Sequence, residues 1–135
     1  MTNLKTQTAI KLTFCLHRHP SWSVTDFHRY WLEEHGPLVR QLKTKLKILR
    51  YTQVHNKHCD FGFALGKIRQ APDAFDGIAE MWWRSMDDFE AAMTSKAGRE
   101  SGKILLEDEQ KFIDLSRSPI WLNEVHDIVN HMENT

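Results

Sequence analysis

His35 is the side chain of this sequence best suited to acid–base chemistry. It belongs to a run, Phe27, Trp31, His35 and Leu38, spaced by four, four and three residues, which places all four on one helical face. That face is otherwise apolar and must point inward, so an imidazole lies on the buried side, facing a cavity. The proline two residues later disfavours helical geometry in the residue before it, which predicts a loosened helix directly after His35.

Such a histidine can take up and return a proton near neutral pH. The alternative is a structural histidine that bonds a backbone carbonyl at the helix end.

Asp108 is a second candidate because it also lies on an apolar helical face. It follows Ile104 by four residues and precedes Phe112 by four, and a carboxylate on such a face is costly unless it is paired. It could orient a catalytic histidine or bind a substrate hydroxyl. The alternative is a helix cap or a bond to a neighbouring helix.

Tyr51 and His55 lie on one face of a predicted strand, with Gln53 between them. If this face meets the helices, the three side chains could anchor the hydroxyl groups of an aromatic ligand. If it meets a partner subunit, they are polar groups of an interface.

The periodicity of apolar residues predicts the elements that position these side chains. Strands are predicted at residues 9–18, 46–55, 77–84 and 120–129. A capping pair, Ser23 with Asp26, begins a helix at about residues 24–42, and Ser85 with Asp88 begins another. A last helix follows Gly98 or Gly102, with an inward face formed by Ile104, Leu105, Asp108, Phe112 and Leu115.

Residues 56–76 are predicted as a long loop of the kind that often forms a lid or a binding segment. Its apolar side chains, Phe61, Phe63 and Leu65, are expected to dock against the body of the domain.

The predicted order of elements is strand, helix, strand, strand, helix pair, strand. This is the split βαβ arrangement of ferredoxin-like α+β folds, with a four-stranded antiparallel sheet and helices on one face. On the third strand, Met81 and Trp83 are expected to form the floor of a pocket, while Ile78 and Trp82 lie on the opposite face.

That opposite face would be exposed unless a second sheet covered it. The sequence therefore predicts a homodimer packed through the open sheet face. Glu80 would be buried in that interface and would need a cationic or hydrogen-bonding partner.

Composition narrows the classes of function. The 135 residues include 18 basic and 18 acidic side chains and suggest one domain, residues 1–135. The basic stretch from Lys43 to Arg50 is expected to solvate a helix end and the start of a strand, and it is too narrow for nucleic-acid binding. We expect no membrane span and, from two cysteines and no recognisable signal peptide, a cytoplasmic location.

Metal binding is a weaker hypothesis. His17 and His19 share a strand face, and His55, His58 and Cys59 lie close together in sequence, but no second tight pair completes a zinc spacing. We therefore predict no metal and no cofactor.

Three segments resemble one known family. Residues 27–38 read Phe-x-x-Tyr-Trp-x-x-x-His-Gly-Pro-Leu, residues 76–83 read Asp-Gly-Ile-Ala-Glu-Met-Trp-Trp, and residues 108–114 read Asp-Glu-x-x-Phe-Ile-Asp. Together they resemble the EthD family of the dimeric α/β-barrel superfamily, over about residues 8–130. The resemblance implies a ferredoxin-like monomer, a dimer closed by two sheets, and a pocket between sheet and helices. It also carries the tyrosine and histidine of the helix motif onto Tyr30 and His35.

Similar proteins include an isomerase, cofactor-free polyketide cyclases, decarboxylases and monooxygenases, so the fold does not determine the reaction. The hypothesis is a small dimeric enzyme that acts without a cofactor on an aromatic or polyketide-like molecule. His35 would be the general acid/base, with Tyr30, Tyr51 or Asp108 holding the substrate and Trp31, Met81 and Trp83 enclosing it.

Proton removal next to a carbonyl could lead to cyclisation, isomerisation, dehydration or decarboxylation. Two alternatives remain open: a non-catalytic protein that binds a hydrophobic metabolite, and a cofactor-free monooxygenase or haem-handling protein.

Overall fold

Four antiparallel strands form the sheet that carries the site, and the computed structural model describes residues 9–132. The strands are β1 (Ile10–Leu16), β2 (Arg50–His55), β3 (Gly77–Trp83) and β4 (Ile120–Asn123). Their order in the sheet is β2-β3-β1-β4, and each neighbouring pair is antiparallel. The ferredoxin-like α+β fold predicted from the sequence is confirmed. Residues 1–8 and 133–135 of the expected domain lie outside the described residues.

The helices are α1 (Val24–Tyr30), α2 (Gly36–Leu42), α3 (Asp60–Ile68), α4 (Met86–Thr94) and α5 (Lys96–Phe112). A 3-10 turn, Leu115–Arg117, precedes β4. None of the helices within residues 9–132 is long and apolar enough to cross a membrane.

Two groups of buried side chains join the helices to the inner face of the sheet. The first core cluster comprises Phe14, Leu16, Phe27, Trp31, Ala79, Phe112 and Ile113. The second core cluster comprises Val39, Leu42, Leu46 and Leu105. Tyr51 packs against both clusters, which places its side chain where the helices meet the sheet.

The first helical segment does not loosen after His35 as predicted. Instead, Trp31–His35 form a π-helical turn between α1 and α2, and the Gly36 N–H bonds the Trp31 carbonyl five residues earlier. Pro37 lacks an N–H donor and its ring crowds the carbonyl one turn before it. The chain accommodates this by widening that turn and remaining helical, a distortion that often accompanies functional sites.

All four strands are shorter than predicted, and β2 and β4 differ most from the prediction. β2 begins at Arg50 and not at residue 46, because α2 is followed by a turn in which Lys47 takes a positive φ of 54°. β4 ends at Asn123 and not at residue 129, because it pairs antiparallel with β1. Asn123 lies opposite Lys11, and β1 has only one residue, Ile10, before Lys11.

The predicted loop at residues 56–76 contains a helix, α3. Phe61, Leu65 and Ile68 are spaced by four and three residues, a helical period that the glycines at positions 62 and 66 obscured. The expected docking of its apolar side chains is also wrong. No residue of α3 is buried, and Phe61 is 86% exposed while Phe63 is 71% exposed.

α5 begins earlier than predicted, at Lys96, where the Ser95 side chain accepts a hydrogen bond from the Gly98 N–H. Its buried residues are Gly98, Ser101, Leu105, Asp108 and Phe112. Ile104, expected on the inward face, is exposed because the buried face of α5 contains Leu105, the residue after it.

The outer face of the sheet satisfies Glu80 within the single chain. Lys11 Nζ lies 2.6 Å from its carboxylate, and the Thr52 hydroxyl donates to Oε1 at 3.1 Å. Trp82 lies between two cations, with Lys11 Nζ at 5.2 Å and the Arg50 guanidinium at 4.7 Å from its ring.

Gly77 is a position where β3 and the π-helical turn lie in close contact. A Cβ added there would lie 2.5 Å from Cζ3 of Trp31 and 2.7 Å from the Val54 carbonyl oxygen. Since Trp31 is only 1% exposed, its ring has little room to move.

Gly77→Ala should therefore lower the free energy of unfolding by ~1–3 kcal/mol, the usual cost of overpacking a core. Urea unfolding followed by tryptophan fluorescence measures this. Gly102→Ala in α5 is the control, since apart from the adjoining backbone of its own helix no atom lies within 4 Å of its added Cβ, and it should be neutral or stabilising by up to ~1 kcal/mol. A Gly77→Ala variant as stable as the wild type would show that the close approach is absent.

Candidate active site

Asp108 connects the other two side chains predicted to be catalytic, His35 and Tyr30. His35 Nδ1 lies 2.7 Å from Asp108 Oδ2, and the Tyr30 hydroxyl donates to Oδ1 at 2.5 Å. Lys111 Nζ, on the next turn of α5, lies 3.3 Å from Oδ1. The buried carboxylate is thus paired on both oxygens, which offsets the cost of removing it from water.

This pairing fixes the tautomer of His35. An ionised carboxylate only accepts hydrogen bonds, so His35 Nδ1 carries the proton and donates it to Asp108. Nε2 is then left with a lone pair, and it has no hydrogen-bond partner among the described residues. Because Nδ1 holds the proton, Nε2 is unprotonated, the state required of a base. The ring is buried, with 4% of the residue's surface accessible.

The pKa shifts agree with that assignment. Burial lowers the pKa of His35, and the neighbouring Asp108 carboxylate opposes this without reversing it. Burial would raise the pKa of Asp108, but the hydrogen bonds from Tyr30 and His35 outweigh it and the pKa is lowered. Burial and the bond to Asp108 raise the pKa of Tyr30 to about 12. Near neutral pH the group is a neutral imidazole, a carboxylate and an intact phenol.

A second hydrogen-bonded group lies on the inner face of β2. Gln53 Nε2 donates to the Trp31 carbonyl at 2.7 Å and to the Tyr51 hydroxyl at 2.9 Å. The Trp31 carbonyl is the one that accepts from Gly36 in the π-helical turn, so Gln53 ties the sheet to the helix next to His35. The face with Tyr51 and His55 therefore meets the helices.

The polar chain continues from Gln53 to two histidines. Gln53 uses both amide hydrogens, so its Oε1 accepts from His55 Nε2 at 2.8 Å. His55 Nδ1 must then accept from His28 Nδ1, 2.7 Å away. The His55 ring stacks on Trp31 with centroids 4.3 Å apart, and His28 Nε2 is buried without a partner among the described residues.

A cavity of about 350 Å³ lies between α2 and the edge of β2. Tyr51 and Gln53 line it from the sheet, and Gly36, the residue after His35, lines it from the helix. Burial raises the pKa of Tyr51 to about 12 against the opposing effect of its Gln53 and Trp31 hydrogen bonds, so its hydroxyl stays protonated. Because that oxygen already accepts from Gln53, its hydrogen is available to a ligand.

Of the predicted site residues, Tyr51 lines this cavity, whereas His35, Trp31 and His55 do not. His35, expected to face a cavity, is instead enclosed beside it, next to the lining residue Gly36.

Met81 and Trp83 lie elsewhere. Met81 packs against the second core cluster. Trp83 is 2% exposed, and its indole N–H donates to the Leu46 carbonyl at 2.7 Å. The cavity beside β2 is lined by neither residue, and their roles in substrate binding stay predictions.

Sequence reasoning did not single out His28, Arg40 or Glu109. His28 directly follows the inward-facing Phe27, so the helical pattern does not place it inside. Its partner, His55, lies at the end of β2, distant in sequence. Arg40 lines the cavity and has no signal in the helical pattern. Glu109 could have been found, because it lies four residues after the buried Leu105; burial and the neighbouring Asp108 raise its pKa to about 7.

Metal ligands are not assembled in the part of the chain that the structure covers. No group of three histidine, cysteine, aspartate or glutamate side chains within residues 9–132 could hold a metal ion. Both cysteines, Cys15 and Cys59, are free thiols.

Comparison with known proteins gives relatives at both the sequence and the fold level. A decarboxylase of Cryptosporiopsis sp. (strain 8999) is 27% identical over 127 residues, covering 88% of this chain and 84% of the relative. A conidial pigment biosynthesis dehydratase EthD of Metarhizium robertsii (strain ARSEF 23 / ATCC MYA-3075) is 30% identical over 120 residues, covering 86% of this chain and 82% of the relative.

A solved structure from Bacteroides fragilis NCTC 9343 shares the fold. It is described as a dimeric protein of unknown function with a ferredoxin-like fold, and it superposes with a TM-score of 0.53 at 13% identity. The match covers 87% of this chain and 96% of that one.

The EthD domain itself matches residues 19–116. This range contains the His35–Asp108–Tyr30 group and all of β2 and β3. The chain belongs to the EthD domain family.

Proposed function

We propose that this protein is an enzyme that moves a proton on an aromatic or polyketide-like substrate, with His35 as the general base. The observation that carries the proposal is the hydrogen-bonded group His35–Asp108–Tyr30, in which a buried neutral imidazole keeps Nε2 free. The names of the two curated relatives, a decarboxylase and a pigment dehydratase, support this substrate class, since both reactions can pass through such a proton transfer.

In the proposed step, His35 Nε2 removes a proton from a carbon next to a carbonyl. The C–H bond breaks, and its electron pair moves towards the carbonyl oxygen to form an enolate. Tyr51 lines the cavity with a free O–H hydrogen, and it would donate to that oxygen as charge develops. His35 then returns the proton, either to carbon or to a leaving group.

Asp108 and Tyr30 act through His35 in this scheme. The carboxylate holds the imidazole in the tautomer with a free Nε2 and stabilises the imidazolium that forms. Tyr30 occupies the other carboxylate oxygen and so fixes the orientation of Asp108. Both are positioning residues.

His35→Gln should slow this proton transfer by ~10²–10⁴-fold, the usual contribution of a positioned acid/base group. The measurement is enzyme-catalysed deuterium exchange in D₂O at the carbon next to the carbonyl, followed by mass spectrometry over a panel of phenolic polyketide-like ketones. His126→Gln, a change at an exposed histidine, is the control and should exchange at the wild-type rate. Exchange by His35→Gln as fast as by the wild type would remove His35 from the mechanism.

The pH profile tests the pairing with Asp108. Since the neutral imidazole is the active form, exchange should fall as pH drops through a His35 pKa that lies below 6.5. Asp108 raises that pKa against the effect of burial, so Asp108→Asn should move the acidic limb to still lower pH. The plateau rate should also fall, by ~10²–10⁴-fold, because the tautomer is no longer fixed. An acidic limb that moves to higher pH would contradict the pairing.

We further propose that two copies of this chain form a homodimer through the outer face of the sheet. The Bacteroides fragilis protein of the same fold is described as dimeric. The outer face here presents Val54, Ile78 and Trp82, of which Val54 is 43% exposed. Burial of such a surface is the usual driving force for association.

Val54→Glu should weaken this dimer, because it places a charge in an apolar interface. Size-exclusion chromatography with light scattering measures the mass across a concentration series. Ile104→Glu is the matched control, since Ile104 is also 43% exposed but lies on α5, away from the sheet face. Wild-type protein that remains monomeric, or equal dissociation of both variants, would argue against this interface.

A further inference from the structure

Two cations at the mouth of the cavity beside β2 have no partner within residues 9–132. Arg40 and Lys43, on α2 and directly after it, both line this cavity. Within the described residues, neither side chain forms an ion pair or a hydrogen bond. They are three residues apart, so they extend from the same side of the helix end.

The lining contains no acidic side chain. Arg50 also borders the cavity, but its guanidinium lies over Trp82 on the outer face of the sheet. The formal net charge of the whole chain is zero, so this positive charge is a local property of the cavity. A cleft lined by one sign of charge attracts ligands of the opposite sign.

The rest of the lining is apolar near the mouth and neutral polar at the inner end. Leu32 is 60% exposed and Leu49 46% exposed at the rim, and Tyr51 with Gln53 forms the sheet side. A volume of about 350 Å³ lies within the range of small-molecule sites. A ligand that fits has a flat apolar body, an anionic group and an oxygen that can accept from Tyr51.

We propose that this cavity binds an aromatic carboxylate, with the carboxylate held by Arg40 and Lys43 at the mouth. The planar guanidinium of Arg40 matches the two oxygens of a carboxylate, and the Lys43 ammonium adds a point charge. The rings lie against Leu32 and Leu49, and the inner oxygen receives the Tyr51 hydrogen. The inference deepens the proposed function by naming its substrate class, and it rests on that function only in placing the reacting carbon near His35.

Isothermal titration calorimetry tests the charge preference without turnover. The probes are 6-hydroxy-2-naphthoate and the neutral 6-hydroxy-2-naphthamide, which differ in charge while sharing the ring system and a hydroxyl at the opposite end. Wild-type protein should bind the carboxylate about tenfold tighter than the amide at low salt, and this ratio should shrink as salt screens the charges.

The double variant Arg40→Gln/Lys43→Gln should lose most of that preference while binding the amide as before. Lys45→Gln/Lys103→Gln removes the same charge at exposed positions outside the cavity lining and should keep the preference. Equal affinity of the wild type for the two probes, failure to bind either, or equal loss in both double variants would overturn the proposal.

The His35→Gln variant separates this inference from the proposed function. Its affinity for the carboxylate should stay within about twofold of the wild type, because the carboxylate contacts Arg40 and Lys43. If His35→Gln keeps the carboxylate preference and exchanges deuterium at the wild-type rate, the role of His35 as general base is rejected. The proposed carboxylate site at Arg40 and Lys43 is then retained. Lost preference in Arg40→Gln/Lys43→Gln with slow exchange in His35→Gln supports both.

Discussion

A carboxylate buried between two helices is the constraint on which the rest of this site depends. Asp108 could not remain ionised inside the protein without hydrogen bonds, and it obtains them from His35 and Tyr30, residues 73 and 78 positions away in sequence. The same bonds dock α5 against the π-helical turn. Stability and chemistry are therefore coupled, because the interaction that satisfies Asp108 also leaves His35 with a neutral ring and an unprotonated Nε2.

The π-helical turn links this carboxylate to the sheet. Its wider geometry leaves the Trp31 carbonyl able to accept from both Gly36 and Gln53, and Gln53 in turn orders Tyr51 and His55. Trp31 can lie this close to β3 only because residue 77 has no side chain. The positions of the His35 ring and the Tyr51 hydroxyl are thus set by one hydrogen-bonded and closely packed assembly of helix and strand.

Electrostatics divides the site into regions with different tasks. The acidic charge of Asp108 is confined to the buried group, whereas the cavity beside β2 has a cationic mouth and a neutral inner end. This separation of positive and negative charge is not visible in the net charge of the chain, which is zero. In the proposed reaction, the mouth would select a charged ring system and the buried pair would supply the proton acceptor.

The sequence by itself determined the fold class, the order of the four strands and the family, because apolar periodicity and local motifs depend on neighbouring residues. It also placed His35 and Asp108 on inward helical faces, since the spacing of apolar residues by three and four along one helix is a local property. It could not pair them, and it did not find the helix at Asp60–Ile68, whose glycines resemble a loop. Which imidazole nitrogen is free, where Arg40 and Lys43 face a cavity, and how His28 meets His55 were decided by tertiary structure, because each depends on contacts between segments distant in the chain.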